Sequence, residues 1–277
     1  MAIEVRNVSF SYSLDSAFET KVLDGVSFRL EHGENLGILG PTGSGKSTLI
    51  QLLNALLIPT QGEVLVDGLN TKDKKNGSKI RELVGVVFQY PENQFFEDKV
   101  YDEIAFGARN LKLSEEKVRE RVLEAINFLE LSADILQKSP FEISGGEKRK
   151  VAIASILVRK PKYLVLDEPF AGMDYPGTRA LLSLFKNLKG KCSIIVVTHT
   201  LDELLGLVDK LLFLYKGRVK AFGDLRSLFD LDELREYVSL IELLSKLKKK
   251  GFSFRKSLVD MDSLEEDIVW NVLHGKV

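Results

Sequence analysis

The stretch Gly40-Pro41-Thr42-Gly43-Ser44-Gly45-Lys46-Ser47-Thr48 decides the fold of this chain. It matches the pattern G-x-x-x-x-G-K-[ST] at every fixed position. A short, mainly apolar run at 35–39 predicts a buried strand before it, and the apolar stripe of 48–57 predicts a helix after it. A glycine-rich loop in that context wraps a phosphate with its backbone N–H groups. The stretch therefore predicts binding of a nucleoside triphosphate; the alternative is a chance connection rich in glycine and serine.

Two side chains of this loop have predicted roles of their own. Lys46 would reach the β- and γ-phosphates, and the Ser47 hydroxyl would be a ligand of Mg²⁺. The other residues predicted to surround the nucleotide are Gly40, Pro41, Thr42, Gly43, Ser44, Gly45 and Thr48.

The composition limits the other function classes. With 277 residues, 44% of them apolar, the chain can form one large domain or a domain with an appendage. A net charge of −1 and a pI of about 6.4 argue against attraction to nucleic acid. Cys192 is the single cysteine, so an internal disulfide is excluded, and its position before an apolar run predicts a small buried residue.

The sequence shows no segment that would target or anchor the chain. Residues 1–6 carry charges where a secretory signal needs an apolar core, and no apolar run approaches the length of about 18 residues expected of a membrane span. We therefore expect a cytosolic protein whose link to any membrane depends on a partner.

Periodicity predicts the remaining elements. Strands are expected at 3–12, 22–30, 83–88, 163–166, 193–197 and 211–215. The region 98–138 is predicted to be mainly helical, with a helix that starts at Ser114. A further helix should run from Ser144 to about Val158, and 72–78 is predicted to be an exposed loop. From about 225 the sequence pattern predicts amphipathic helix. Its apolar stripe is formed by Leu234, Val238, Ile241, Leu244 and Leu247. A capping box at 263–266 predicts the start of a last helix that includes Trp270.

Asp167 and Glu168 follow an apolar strand, where acidic residues can serve phosphate chemistry. Asp167 would hold the Mg²⁺ shell beside the phosphate loop, and Glu168 would orient or deprotonate the attacking water. A helix cap or a solvated turn is the alternative for such a pair.

Three further residues are ambiguous from pattern alone. His199 follows a strand and could donate to the γ-phosphate or be structural. Gln89 also ends a strand and could bind Mg²⁺ or the attacking water, or be a surface amide. Tyr12 could stack on the base or fill a sheet edge.

The order of these motifs resembles the nucleotide-binding domain of ABC ATPases over residues 3–223. The resemblance implies that Tyr12 stacks on adenine and that Gln89 is the Q-loop glutamine. It also implies that Glu168 is the catalytic glutamate and His199 the switch histidine. Ser144, Gly145 and Gly146 match the signature motif, which contacts the ATP of a partner, and Asp174 lies in the matching D-loop.

The resemblance also implies the architecture. We expect an α/β fold, a P-loop NTPase (RecA-like) core with an antiparallel β subdomain, an inserted α-helical subdomain at about 95–160 and a small helical C-terminal appendage. Residues 1–224 would form the nucleotide-binding domain, and 225–277 the appendage. Its apolar stripe would hold two ATPases together or pack on its own domain.

Glu147 departs from this family pattern, because it is a carboxylate where the signature usually has glutamine. A narrower resemblance lies in 88–96 and 100–107, which are similar to ATPase subunits of energy-coupling factor transporters, importers of vitamins or, in relatives, of cobalt or nickel.

This narrower resemblance implies a motor subunit that binds ATP and Mg²⁺ at the cytoplasmic face of the membrane. Its expected partners are a second ATPase, identical or related, together with an integral membrane scaffold and a substrate-binding subunit, without nucleic acid. The alternatives are a soluble ABC ATPase that acts on DNA repair or ribosomes and a regulatory module that does not hydrolyse ATP.

Overall fold

The computed structural model describes residues 1–14, 18–224, 247, 249, 252 and 261–273. The strands are β1 Ala2–Tyr12, β2 Thr20–Glu31, β3 Leu36–Leu39, β4 Gln61–Val66, β5 Leu69–Asn70, β6 Val84–Val87, β7 Tyr163–Asp167, β8 Ser193–Thr198, β9 Lys210–Tyr215 and β10 Arg218–Asp224. The helices are α1 Lys46–Leu53, α2 Gly77–Leu83, α3 Val100–Arg109, α4 Glu115–Phe128, α5 Gly145–Leu157, α6 Tyr175–Lys186 and α7 Met261–Leu273. None of these helices is long and apolar enough to cross a bilayer.

The strands form two sheets. One is antiparallel with the order β2-β1-β4-β5, and the other has the order β10-β9-β3-β8-β7-β6. In the second sheet all pairs are parallel except the hairpin of β9 and β10. Because parallel strands end at the same edge, the loops that follow β3, β6, β7 and β8 lie side by side.

The core has one layer on each face of the parallel sheet. Leu164 and Ile194 belong to a cluster with α3 to α6, while Val165 and Ile195 belong to a cluster with α1 and the antiparallel sheet. Successive residues of a strand point to opposite faces, so a strand covered on both faces is apolar throughout. This explains why β7 and β8 appear in the sequence as uninterrupted apolar runs, and it confirms the predicted α/β class.

Helices α3, α4 and α5 lie between β6 and β7 in sequence and pack on one another. Ser114 begins α4 as predicted, with its side chain accepting a hydrogen bond from the N–H of Lys117. Ser144 begins α5. The predicted helical region is therefore present within 100–157, between two strands of the parallel sheet.

Three local predictions were wrong. Residues 72–78 are not only a loop, because a 3₁₀ turn at Lys74–Asn76 leads directly into α2. Helix α1 ends at Leu53 rather than 57, because Ala55 adopts a left-handed backbone with φ 57°. The described part of α7 already includes Met261, so Ser263 is not its N-cap.

Most of the predicted appendage, 225–277, lies outside the described residues. This includes its apolar stripe from Leu234 to Leu244. The division into 1–224 and 225–277, and the role of the appendage, therefore stay predictions.

Candidate nucleotide site

The glycine-rich loop connects β3 to α1 and is braced by the β9–β10 hairpin. A Cβ on Gly40 would overlap the backbone carbonyl of Leu214 in β9, so this position requires glycine. Gly45 has φ 101°, and a Cβ there would lie 2.7 Å from Leu23 Cδ2. The N–H of Gly217 donates to the carbonyl of Ser44 at 3.1 Å. The loop is thus fixed in shape by its surroundings.

Lys46 is held inside this loop. Its Nζ donates to the carbonyl oxygens of Gly40 and Pro41 at 2.7 and 3.1 Å. Burial lowers the pKa of Lys46, and the nearby carboxylates of Glu168 and Asp167 oppose that shift. The two carbonyl oxygens therefore hold the Lys46 ammonium group inside the loop, where it can bind the anionic oxygens of a phosphate.

Ser44 supplies a second polar group to the inside of the loop. Its Oγ is buried and has no hydrogen-bond partner among the described residues. A buried hydroxyl without a partner is costly unless a ligand satisfies it, and a phosphate oxygen would do so.

Ser47 and Asp167 are brought together although they are far apart in sequence. The Ser47 hydroxyl donates to Asp167 Oδ2 at 3.1 Å. Burial raises the pKa of Asp167; the bond from Ser47 and the charge of Lys46 oppose this shift, while Glu168 adds to it. Two hard oxygen donors at the mouth of a phosphate loop fit a Mg²⁺ ion, which prefers such ligands and keeps water and phosphate as the others.

Glu168 and His199 form the next pair along the sheet edge. Glu168 follows β7 with a left-handed backbone, φ 48°, and its N–H donates to the carbonyl of Val197 in β8. His199 Nδ1 lies 3.0 and 3.1 Å from the two carboxylate oxygens of Glu168. The His199 side chain is 63% exposed, which leaves it open to a ligand.

Tyr12 lies beside the start of α1. Its hydroxyl and Thr48 Oγ1 are 3.2 Å apart, and its ring packs edge-on against Phe10 with the centroids 4.8 Å apart. Tyr12 is 41% exposed. Part of the Tyr12 ring is therefore open to solvent. A base that stacks on Tyr12 would need such an exposed ring face.

Gln89 lies two residues beyond β6, the strand next to β7. Its side chain is exposed and makes no hydrogen bond to Ser47, Asp167 or any other described residue. The topology brings Gln89 to the same sheet edge as the other predicted residues, without contact between them.

The signature residues Ser144, Gly145 and Gly146 are exposed at the start of α5. A Cβ on either glycine would meet nothing within 4 Å, so the surface above them is open. Asp174 caps α6 by accepting from the N–H of Gly177 at 2.9 Å. Among the described residues, no hydrogen bond links the signature residues to the phosphate loop.

Sequence reasoning missed Arg149 and Glu92. Arg149 lies on α5, is 6% exposed, and donates to Glu92 Oε1 at 3.0 Å. The sequence does show an arginine in a helix whose neighbouring residues Val151 and Ile153 are apolar and buried. It does not show which acidic residue pairs with that arginine.

Residues 23–171 match a family model described as "ABC transporter". A protein named energy-coupling factor transporter ATP-binding protein EcfA2, from Caldanaerobacter subterraneus subsp. tengcongensis, is 46% identical over 83% of this chain and 81% of its own. A putative ABC transporter ATP-binding protein from Pyrococcus horikoshii, PH0132, is 46% identical over 83% of this chain and 86% of its own.

Solved structures are similar over most of the chain as well. The structure of cbiO1 from Clostridium perfringens, described as part of the ABC transporter complex cbiONQ, has a TM-score of 0.75 and 34% identity, covering 88% of this chain and 98% of its own. The ATP-binding cassette MJ0796, a dimer in a post-hydrolysis state with ADP and phosphate, has a TM-score of 0.73 and 28% identity, covering 81% and 99%.

Proposed function

Because this chain belongs to the ABC transporter family, as an ATP-binding subunit, we propose that it is the ATP-hydrolysing motor of an energy-coupling factor transporter. The transported substrate would be a vitamin or a transition-metal ion that membrane subunits recognise. The high identity to EcfA2 proteins and the likeness to cbiO1 support this assignment.

The observation that carries the proposal is the convergence of three strand ends on one site. Asp167 ends β7, His199 follows β8, and Lys46 begins the helix that comes after β3 and its glycine-rich loop; β3, β8 and β7 are neighbours in the sheet. Their proposed roles are a phosphate-binding cation, a metal ligand and a γ-phosphate contact, and phosphoryl transfer would require these three groups at one edge.

In the proposed reaction Lys46 holds the β- and γ-phosphates, and Tyr12 stacks on adenine. Ser47 and Asp167 would hold Mg²⁺, with Gln89 as a further ligand. When bound, Mg²⁺ would neutralise negative charge on the phosphate oxygens. Glu168 accepts a proton from the attacking water.

His199 serves this step in two ways. It orients the Glu168 carboxylate through the contact at 3.0 Å, and its exposed ring reaches the γ-phosphate. A general base held by a second group is the usual arrangement for activation of water.

A second ATPase subunit, identical or related, would complete the site. Ser144, Gly145 and Gly146 would contact the ATP of that partner, and Asp174 would lie at the same interface. Their exposure and the open space above both glycines support this role. The predicted appendage, 225–277, would strengthen the pairing.

The membrane partners would bind next to the segment after Gln89. Tyr90, Phe96 and Phe106 are 45%, 60% and 44% exposed, and the last two rings pack edge-on at 4.9 Å. Exposed aromatic clusters of this kind suit an apolar helix. The chain would therefore be peripheral, at the cytoplasmic face of the membrane.

The deciding experiment is to purify the chain from its native membrane in mild detergent and to identify the associated proteins by mass spectrometry. We expect an integral scaffold, a small hydrophobic substrate-binding protein and an ATPase partner. Recovery with ribosomes or DNA-repair proteins, or recovery of the chain alone, would contradict the transporter assignment and leave the ATPase chemistry in place.

A further inference from the structure

A buried arginine joins three segments around the predicted catalytic glutamate. Arg149 Nη1 donates to the carbonyl oxygens of Pro169 and Ala171, each at 2.9 Å, and Nη2 donates to Glu92 Oε1 at 3.0 Å. The guanidinium also lies 6.0 Å from the centroid of the Tyr90 ring. A single side chain of α5 thus links the turn after Glu168 to the segment after Gln89.

The turn that Arg149 holds carries backbone strain. Glu168 has φ 48°, in the left-handed region that costs energy for a residue with a side chain. Such a conformation persists only where the surroundings determine it. The N–H of Glu168 donates to Val197, the N–H of Ala171 donates to the carbonyl of Glu168, and Arg149 fixes the two carbonyls that follow.

Among the groups bonded to Arg149, Glu92 has a carboxylate that is only half satisfied by hydrogen bonds. It lies in the 3₁₀ turn Pro91–Gln94, and only its Oε1 is bonded to Arg149. Its Oε2 is buried without a hydrogen-bond partner among the described residues. A buried carboxylate oxygen without a partner is costly, so a small movement of this turn that satisfies Oε2 would change the distance between the Glu92 carboxylate and Arg149.

We propose that Arg149 is a positioning residue for Glu168, and that its pair with Glu92 makes the position of Glu168 depend on the 91–94 turn. The second half of this inference rests on the proposed function, because that turn adjoins the exposed aromatic surface of Tyr90 and Phe96. A membrane subunit bound there would shift Glu92, and Arg149 would pass the shift to the turn after Glu168.

The test uses the full-length chain, alone and in the complex with its membrane subunits, and compares Glu92→Gln with Glu34→Gln. Glutamine at 92 keeps the size and one acceptor oxygen but removes the charge. Glu34 is a matched control, since it is also partly buried and pairs with Lys210 at 2.8 Å, away from the candidate site. The readouts are kcat and KM for ATP, and the thermal midpoint.

We expect Glu92→Gln to lower kcat by about tenfold, the scale of a small misplacement of a catalytic group. KM for ATP should stay within about twofold, because the phosphate loop is untouched, and the thermal midpoint should match that of Glu34→Gln. Arg149→Lys should lower kcat further, because one ammonium cannot reach all three acceptors. An unchanged kcat in Glu92→Gln would overturn the inference. It would also be overturned if the thermal midpoint of Glu92→Gln fell well below that of Glu34→Gln while kcat and KM both changed.

The complex separates this inference from the proposed function. If the membrane subunits raise ATPase activity in the wild type, Glu92→Gln should reduce that stimulation, and full stimulation in the variant would refute the link to the 91–94 turn. If no membrane subunit co-purifies, the proposed function fails, while kcat of the chain alone still decides whether Arg149 positions Glu168.

Discussion

Glu147 accepts two hydrogen bonds from Ser144, one from its backbone N–H at 2.9 Å and one from its hydroxyl at 2.7 Å. Ser144 Oγ in turn accepts from the N–H of Glu147, which completes a capping box at the start of α5. These bonds lower the pKa of Glu147, so the carboxylate is charged at neutral pH. The residue that departs from the family signature therefore accepts the hydrogen bond that the Ser144 hydroxyl donates, and it adds a negative charge beside that hydroxyl.

Glu147→Gln should have opposite effects on ATP-driven pairing and on folding. Loss of the charge removes repulsion of a triphosphate worth about 1 kcal/mol, so the ATP-dependent dimer should be about fivefold tighter. Loss of an acidic residue from the first turn of a helix should lower the free energy of unfolding by about 0.3–1 kcal/mol. Sedimentation with ATP, in a Glu168→Gln background, and denaturant titration measure the two effects.

Glu116→Gln is the matched control, because Glu116 is an exposed acidic residue in the first turn of α4, outside the signature. It should alter folding in the same direction and leave pairing unchanged. Equal or weaker ATP-dependent pairing in Glu147→Gln would show that the carboxylate does not oppose the nucleotide of the partner.

Glu168→Gln should bind ATP, hydrolyse it very slowly and accumulate as an ATP-bound dimer. Glutamine can fill the same space and still contact His199, but it cannot accept the proton of water, so kcat should fall by about a hundredfold or more. Phosphate release and gel filtration with ATP check both statements. Glu63→Gln, in the antiparallel sheet, should behave as wild type. Wild-type turnover in Glu168→Gln would remove Glu168 from the catalytic role.

Chelation of divalent cations should stop hydrolysis, and Ser47→Ala should raise the Mg²⁺ concentration needed for half-maximal activity. The variant loses one oxygen donor and frees Asp167 from its bond at 3.1 Å, so an increase of about tenfold or more is expected. The measurement is ATPase rate against free Mg²⁺, with Ser183→Ala on the exposed side of α6 as control. An unchanged Mg²⁺ dependence would mean that Ser47 is not a ligand.

The sequence indicated the position of the candidate site better than it indicated the contacts that support it, and the roles of the site residues stay predictions. The phosphate loop and the residues that end β7 and β8 follow from local patterns, because an apolar strand and a glycine-rich turn need only neighbours in sequence. The pair of Arg149 and Glu92 spans 57 residues of sequence, and nothing local distinguishes it from a solvated charge. The close approach of Gly40 to the backbone carbonyl of Leu214 is also a contact between distant parts of the sequence, so no local pattern reveals it.

The ends of the helices show the same difference between local patterns, which the sequence reveals, and longer-range contacts, which it does not. The N-caps Ser114 and Ser144 were found because a side chain that caps a helix acts within three residues. The early end of α1 was missed because 54–57 continues the apolar stripe. The N–H groups of Leu56 and Leu57 both bond to the carbonyl of Gln51, which closes the helix where periodicity alone would extend it.

Gly40→Ala should destabilise the fold and abolish ATP binding, whereas Gly33→Ala should only destabilise it mildly. The Gly40 Cβ would overlap a backbone carbonyl, which cannot turn away as a side chain can. Gly33 has φ 94° and open space around it, so its cost is limited to backbone strain of about 1–2 kcal/mol. Denaturant titration and binding of a fluorescent ATP analogue separate the two variants. Equal stability and equal binding would contradict the proposed brace.

Cys192 should make stability fall at alkaline pH. Burial raises the pKa of its thiol to about 11, from an ordinary value of 9.0, so between those values the unfolded chain loses a proton that the folded chain keeps. The free energy of unfolding must then decrease as pH rises through that window, by up to about 2–3 kcal/mol for a shift of this size.

Comparison with Cys192→Ala isolates this effect from the other groups that titrate at alkaline pH. The stability advantage of the wild type over the variant should be constant below about pH 8 and should shrink towards pH 11, as measured by urea titration at each pH. In the folded wild type at pH 8 the thiol, 5% exposed, should also resist alkylation by iodoacetamide. A difference that does not change with pH, or rapid alkylation of the folded chain, would show that the thiol is not buried in the core.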